Sequence, residues 1–451
     1  MKHRLNRIPA FLAATLLIMG TVAQAQDSTV NLNLQKAVSL SLQNSKIIKA
    51  NMAKVDEATA GLKQARDNKL PDLSVTGGYM YLPVTPNIDM KMKSGSGSGS
   101  GSGESIEAHQ AAYGLVNASL PLFAGGKIKY GIQSAQYLLE ATRLDAENDR
   151  EAIAQNAIEA FTNLYKAQQS VVIIQESLDQ SRARDKDLLN MENNGLLARN
   201  DRLKAQLQTN NIELTLLDAQ TNLKVAAVNM NLLLGLPEAT VLNLVADTSK
   251  QPVTPQPIEQ YEQLGLTNRK DVAALDNRKK AAEQQIRIAN ADKYPSLALT
   301  GGYIAADIPK VLSITNAVNV GVGLSYNVSS LWKSKAKVQQ AEASDRQLMF
   351  RQAAMQDEIR REVNRAYQQY VVSIKKIDVY QLALEQAEEN YKITKNKFDN
   401  SLVTTTDLLD ANVSRIQSRI NHAFAKAESL QAYSKLLETS GTLLSNGTIN
   451  Q

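Results

Sequence analysis

Residues 359–398 read IRREVNRAYQQYVVSIKKIDVYQLALEQAEENYKITKNKF. The seam positions are Ile359, Val363, Ala366, Tyr370, Ser373, Ile377, Tyr380, Leu384, Ala387, Tyr391, Thr394 and Phe398, in unbroken steps of four and three, with only Ser373 and Thr394 off type. Such a seam is the mark of a coiled coil. The surrounding stretch, Lys333 to Asp399, holds no proline and no glycine. At about 1.5 Å per residue it is a rod roughly 100 Å long, beyond any ordinary globular helix.

The rod occurs twice. Ile153, Ala157, Ala160, Leu164, Ala167, Val171, Ile174 and Leu178 repeat the spacing inside Lys127 to Asn193, 206 positions upstream. Asp201, Leu203 and Ala205 match Asp407, Leu409 and Ala411 at the same offset. Further upstream the offset is 224: Pro71, Leu73, Gly77, Gly78 and Tyr79 match Pro295, Leu297, Gly301, Gly302 and Tyr303. The chain is therefore one architecture in two repeats, 26–235 and 267–440.

Each repeat reads helix, two strands, rod, turn, helix. A helix over 32–70 stops at Pro71, and one over 268–293 stops at Pro295. Period-two alternation marks strands at 72–82, 110–123, 296–305 and 317–328, with a loop over 306–316. The rods span 127–193 and 333–399, and the return helices 200–234 and 407–439. Pro252, Pro255 and Pro257 mark 236–266 as an irregular connector, and 441–451 is a tail. Five Ser-Gly units, Ser94 to Gly103, lie in the first strand loop; an engineered linker and natural low complexity both fit them.

Composition narrows the function. The 451 residues include no cysteine, so disulfides and thiolate sites are excluded. The only histidines are His3, His109 and His422, and no P-loop, nucleophile elbow or metal-ligand spacing appears. No enzyme activity, cofactor or metal is expected. The net charge of +5 includes Lys2, Arg4 and Arg7, and residues 1–25 carry no acid, which leaves +2 and argues against nucleic acid. Those three cations, the apolar run Ile8 to Val22 and Ala23-Gln24-Ala25 form a secretory signal cleaved after Ala25. No later stretch approaches ~20 consecutive apolar residues, so a membrane location would require a barrel.

Four strands cannot close around a lumen. They form either a small soluble sheet or one share of a barrel built by several chains. Tyr79, Tyr81, Phe123, Tyr303, Tyr326 and Trp332 lie near strand ends, as membrane-interface aromatics do, and favour the barrel. Val318, Val320, Val322, Leu324, Tyr326 and Val328 would face lipid; Asn319, Ser325 and Asn327 would face the lumen. A coiled-coil scaffold or adaptor without a barrel explains the rods but not the paired strands.

Several motifs recur in order: Leu70-Pro71-Asp72-Leu73 with Gly77-Gly78-Tyr79, Tyr294-Pro295-Ser296-Leu297 with Gly301-Gly302-Tyr303, Leu120-Pro121-Leu122-Phe123 with Gly125-Gly126, Gly195-Leu196-Leu197 with Asp201, Leu232-Leu233-Leu234-Gly235-Leu236-Pro237, and Thr406-Asp407-Leu408-Leu409-Asp410-Ala411. Through them nearly the whole mature chain resembles the TolC-like outer-membrane efflux proteins. The resemblance implies a mainly α fold with a four-strand β contribution. Three copies would share a 12-stranded transmembrane β-barrel and a long α-helical coiled-coil barrel reaching across the periplasm. It implies a homotrimer in outer-membrane lipid, docked to a periplasmic adaptor and, indirectly, to an inner-membrane transporter.

It also implies a constriction at the rod ends. Asp201, Asp407 and Asp410 match the family's acidic gate positions; Asp201 and Asp407 also fit helix capping. Phe398 stands where tyrosine is usual and Val403 where a tethering arginine is found, which leaves Arg199 and Arg202 as substitutes. Gly195, Leu196, Ser401 and Leu402 would be the tips that meet the adaptor. Charged runs such as Arg182 to Asp187 read as solvated faces. Substrate, and efflux against protein export, are not legible.

Overall fold

The structure, a computed structural model, describes residues 29–84, 109–245, 252–309 and 312–445. The signal segment and the Ser-Gly tract lie outside the described residues. The elements are β1 (Val30–Leu32), α1 (Leu34–Asn44), α2 (Lys46–Asp67), β2 (Asp72–Tyr81), β3 (Gln110–Ala124), α3 (Lys127–Asn193), α4 (Arg199–Leu234), β4 (Leu242–Leu244), α5 (Ile258–Asn268), α6 (Lys270–Ala291), β5 (Ser296–Ile308), β6 (Leu312–Ser325), α7 (Ser330–Asp399) and α8 (Thr405–Thr439).

The two rods, α3 and α7, run uninterrupted for 67 and 70 residues. Every seam position of α7 from Ile359 to Phe398 is buried or half-buried. Ile359, Val363, Ala366 and Tyr370 form one core with Tyr261 and Leu436. The seam begins at Ile359 because α8 first reaches α7 there. The return helices α4 and α8 account for part of the packing on the rods, and α2 and α6 pack on them as well. Along α3, Lys127 meets Asp292 at the C-cap of α6, Ser134 and Asp145 meet Ala281 and Arg278 of α6, and Gln180 and Glu176 meet Arg415 and Arg419 of α8.

The helix expected over 32–70 is broken. Ser45 is extended, with φ −55° and ψ 123°, and separates α1 from α2. Arg269, its counterpart at the 224 offset, is extended at φ −61° and ψ 128° and separates α5 from α6. The two bends are held differently. At the first, the Asn44 amide donates to the Leu234 carbonyl at 2.7 Å. At the second, the Arg269 guanidinium donates to Asp271 at 2.7 Å and to Glu362 at 2.6 Å. Both bends are turned by neighbours elsewhere in the chain, so neither proline nor glycine announces them. The connector is also less irregular than expected: β4 pairs in parallel with β1, and α5 starts at Ile258.

Four antiparallel strands form one sheet in the order β2-β3-β5-β6. The last hairpin is tighter than expected. β5 runs to Ile308 and β6 starts at Leu312, with a register shift between Ile304 and Ala306 that absorbs the left-handed Asn316, φ 59°. At its far end β6 stops at Ser325, before Tyr326 and Val328, because α7 begins three residues earlier than expected, at Ser330. The first repeat turns this corner on Gly125 and Gly126, at φ 61° and 87°, and the second does not.

Two glycines separate backbone freedom from space. Gly61 lies inside α2, and a Cβ added there would meet nothing within 4 Å, so Gly61→Ala should raise stability by about 0.5–1 kcal/mol. Gly235 ends α4 at φ 70°, and a Cβ would sit 2.8 Å from Cβ of Asn44. Gly235→Ala should therefore lower the thermal midpoint in detergent while Gly61→Ala raises it; equal shifts in one direction would contradict this packing.

Candidate functional site: the helical tips

The ends of the two helical hairpins carry the residues the sequence marks. Each turn closes the same way. Leu196 N–H donates to the Met191 carbonyl at 2.8 Å, and Leu402 N–H to the Lys397 carbonyl at 2.8 Å. Gly195 and Ser401 occupy equivalent left-handed positions, φ 72° and 59°. Leu196 and Leu402 then project into solvent, 73 % and 72 % exposed. Leu197 and Val403 fold back onto a core of Leu188, Ala205, Phe398, Leu408 and Leu409.

Phe398 is therefore a packing residue. It is 8 % exposed, and its ring packs into the tip core. The duplication explains it. Phe398 and Leu408 in the second repeat correspond to Glu192 and Arg202 in the first, and those two form an ion pair. One tip is stapled by an apolar contact and the other by a charge pair. Arg202 is thus engaged within its own hairpin.

The aspartates differ in the same way. Asp407 completes a capping box with Thr404: its carboxylate accepts from Thr404 N–H at 2.9 Å and from the hydroxyl at 2.7 Å, while Asp407 N–H donates to Thr404 Oγ1 at 3.2 Å. These hydrogen bonds hold its carboxyl below the ordinary value. The counterpart of Thr404 is Ala198, which cannot cap, and Asp201 instead pairs with Lys204 at 3.1 Å. Lys204 is in turn the counterpart of Asp410. The first repeat thus presents an acid with a base, and the second presents Asp407 and Asp410 with no ion pair among the described residues. Leu408, Leu409, Ala411 and Asn412 are buried, so Asp407 and Asp410 share the exposed face of α8.

Behind the tips lies a cluster that heptad reading passes over. Arg415 of α8 stacks on the ring of Tyr391 with its guanidinium carbon 3.9 Å from the centroid, and Arg184 of α3 donates to the Tyr391 hydroxyl at 3.0 Å. Burial, with Arg184 and Arg419 nearby, pushes the Arg415 guanidinium down. Within the run Arg182 to Asp187, Arg182, Lys186 and Asp187 are exposed as expected and Arg182 pairs with Glu213 at 3.2 Å on the surface, whereas Arg184 departs by tying α3 to α7. The seam position of Tyr391 marks only its packing, not its phenol.

At the sheet, Tyr79, Tyr81, Phe123, Tyr326 and Trp332 are exposed near strand ends. Tyr303 is not at an end. It lies mid-strand in a row with Val75, Val116 and Val318, because the hairpin extends beyond it. The neighbouring row, Ser74, Asn117, Gly302 and Asn319, is polar or small. Adjacent rows belong to opposite faces, so one face of the sheet is apolar and exposed while the other is polar. No helix is long and apolar enough to cross a membrane, and no group of histidine and acidic side chains could hold a metal, among the described residues.

Two long rods, an open four-stranded sheet and two tip turns make up the fold. Residues 37–236 and 263–442 match the model of the outer membrane efflux protein family, and the chain belongs to that family. Its fold is similar to that of CusC, with TM-score 0.76 and 19 % identity over 91 % of this chain and 92 % of that one. The outer membrane protein VceC of Vibrio cholerae gives 0.73 and 18 % over 91 % and 96 %. The MtrE outer membrane channel of Neisseria gonorrhoeae gives 0.69 and 16 % over 91 % and 89 %. Comparison with curated sequences finds no match.

Ser401 occupies a left-handed position that costs a non-glycine residue about 1 kcal/mol or more. Ser401→Gly should therefore stabilise the second tip, read as slower amide exchange in its last α7 turn. The lowered Asp407 carboxyl contributes in full above the ordinary aspartate value near 4. That contribution is lost as pH falls through its lower folded value. Acidification should fray the first turn of α8 more in the wild type than in Asp407→Asn, which lacks the titration; equal fraying would contradict the cap.

Proposed function

We propose that three copies of this chain form the outer-membrane exit duct of a tripartite efflux system. The duct would receive substrate from a periplasmic adaptor and an inner-membrane transporter, after export by a signal peptide cleaved after Ala25. The observation carrying this reading is the sheet: four strands with one exposed apolar face and two unpaired edges. In lipid an open edge leaves backbone groups without partners, each costing several kcal/mol, so the sheet must be completed by other copies. A soluble sheet or a periplasmic scaffold would have no use for Val318, Val320, Val322 and Leu324, all at least 64 % exposed.

The helices support the same assembly. α8 packs on both α7 and α3, but its counterpart α4 has no such second rod among the described contacts. Leu203, Leu207, Leu214 and Leu217 of α4 are left exposed, as are Phe350, Val372, Val379 and Leu382 of α7. An α7 from the next copy against α4 would cover both.

The tips would then close the periplasmic end, with Gly195, Leu196, Ser401 and Leu402 meeting the adaptor. Three copies of Asp407 and Asp410 would make an acidic ring in the lumen, with Asp201 beside it and neutralised by Lys204. Efflux is favoured over protein export by the family's description alone, and substrate choice belongs to the pump.

Because Asp407 also caps α8, Asp410→Ala is the cleaner test of the ring. In planar bilayers it should weaken block of single-channel current by multivalent cations at least several-fold, without changing trimer mass. Unchanged block would remove Asp410 from the lumen. On fractionation, the wild-type protein should stay with detergent-extracted outer membrane; release by salt alone would favour a scaffold.

A further inference from the structure

The rim where the sheet meets the rods collects positive charge. Lys69 and Lys293 each lie three residues before a strand begins, at Asp72 and Ser296. Lys127 and Lys129 open α3, and Lys333 and Lys335 lie near the start of α7. Ser296 stands opposite both Ala124 and Ser325, so these lysines follow directly on the last strand pairs. All six are exposed. They are also three pairs under the duplication: Lys69 with Lys293 at the 224 offset, and Lys127 with Lys333 and Lys129 with Lys335 at the 206 offset. At the tips the two repeats have diverged in charge; at this rim they have not.

The chain itself does little to offset these cations. Asp292 holds Lys127 at 3.0 Å and Lys337 at 2.8 Å, and Lys293 donates to Asn290 at 2.8 Å. Lys69, Lys129, Lys333 and Lys335 have no ion pair among the described residues, although Asp67 and Asp72 lie at the same rim. Neither rod has an acid in its first turn, and lysine there opposes the helix dipole. Apolar side chains are interleaved with the charge. Leu70, Tyr294 and Trp332 adjoin Lys69, Lys293 and Lys333 in sequence and are 59 %, 60 % and 63 % exposed. The apolar face of the sheet continues from them through Leu73 and Leu324. Among the described residues the opposite rim, 79–84, 109–112, 306–309 and 312–316, holds no lysine or arginine.

We propose that this rim is a binding belt for anionic phospholipid headgroups, with the lysine ammonium groups set against the lipid phosphates. The inference rests on the membrane reading above and adds the lipid that the rim selects. Lysine stems can lie along apolar surface while their ammonium groups stay at headgroup level. Indole and phenol rings settle at the same level. The attraction of each lysine to an anionic surface adds to the next and falls off within a Debye length. A zwitterionic choline headgroup offers the same phosphate but cancels its charge, so the belt should discriminate between the two lipids, and salt should erase the difference.

Trp332 is the sole tryptophan and adjoins Lys333, so its fluorescence reads the belt directly. The mature protein is reconstituted in phosphatidylcholine vesicles that contain either phosphatidylglycerol or phosphatidylcholine brominated on the acyl carbons nearest the headgroup. At low salt the brominated phosphatidylglycerol should quench Trp332 with at least three-fold higher relative affinity. Molar salt, and Lys333→Gln with Lys335→Gln, should each bring that ratio toward one. Lys375→Gln with Lys392→Gln removes the same charge further along α7 and should leave it intact. Equal quenching by the two lipids overturns the belt and leaves the membrane reading standing, as does a ratio undiminished by loss of Lys333 and Lys335. No quenching by either lipid, in vesicles that carry the protein through flotation, rejects the belt together with the membrane placement of the sheet.

Discussion

Two strand edges without partners govern this molecule. Within a bilayer each backbone N–H and C=O must be satisfied by the protein, and a four-stranded sheet leaves one row of them open on β2 and another on β6. One exposed apolar face adds a second unmet requirement. The helices are uneven in the same way: among the described residues α4 and α2 each pack mainly on one rod, whereas α8 and α6 pack on two. These are not separate defects. In the proposed assembly, contacts that join the first repeat to the second within one chain would have counterparts between the second repeat and the first repeat of another copy, and a tube closed by repetition would meet them together.

Duplication does not make the two halves chemically alike. Where the second tip packs Phe398 on Leu408, the first pairs Glu192 with Arg202. Where the second exposes Asp407 and Asp410, the first sets Asp201 beside Lys204. The backbone turns remain superposable, down to the left-handed residue at Gly195 and Ser401. The repeats therefore share a scaffold and divide the electrostatics. In a threefold assembly the acidic character would come from three α8 ends, alternating with three nearly neutral α4 ends. The bends are divided similarly: a neutral amide holds the first, and Arg269 with Asp271 and Glu362 holds the second.

Much of this was legible in sequence because the signals are local and periodic. The seam from Ile359 to Phe398, the stops at Pro71 and Pro295, and the alternation along β6 each follow from spacing. The bends at Ser45 and Arg269 were not legible, because tertiary contacts turn the chain there without a breaker residue. The extension of β5 to Ile308 was hidden by Ala305 and Ala306, which carry no strand signal. At the tip, the family resemblance marks Asp407 and Asp410, and helix capping fits Asp407, but the sequence does not show that Thr404 is the cap residue and Asp407 its partner in a capping box. The packing of Phe398 in the tip core was not singled out, because a seam aromatic near a turn fits a core as well as a constriction. Tyr391 with Arg184 and Arg415 joins three helices far apart in sequence, and only the fold brings them together.

The central claim is that one chain is two of six similar staves in a closed tube. Electron microscopy of the detergent-solubilised mature protein tests it most directly. End-on views should show a ring of three two-lobed units around a stain-filled channel, and side views a body of roughly 100 Å of helix below a short barrel. Isolated rods, or a particle with no rotational symmetry and no central channel, would contradict it.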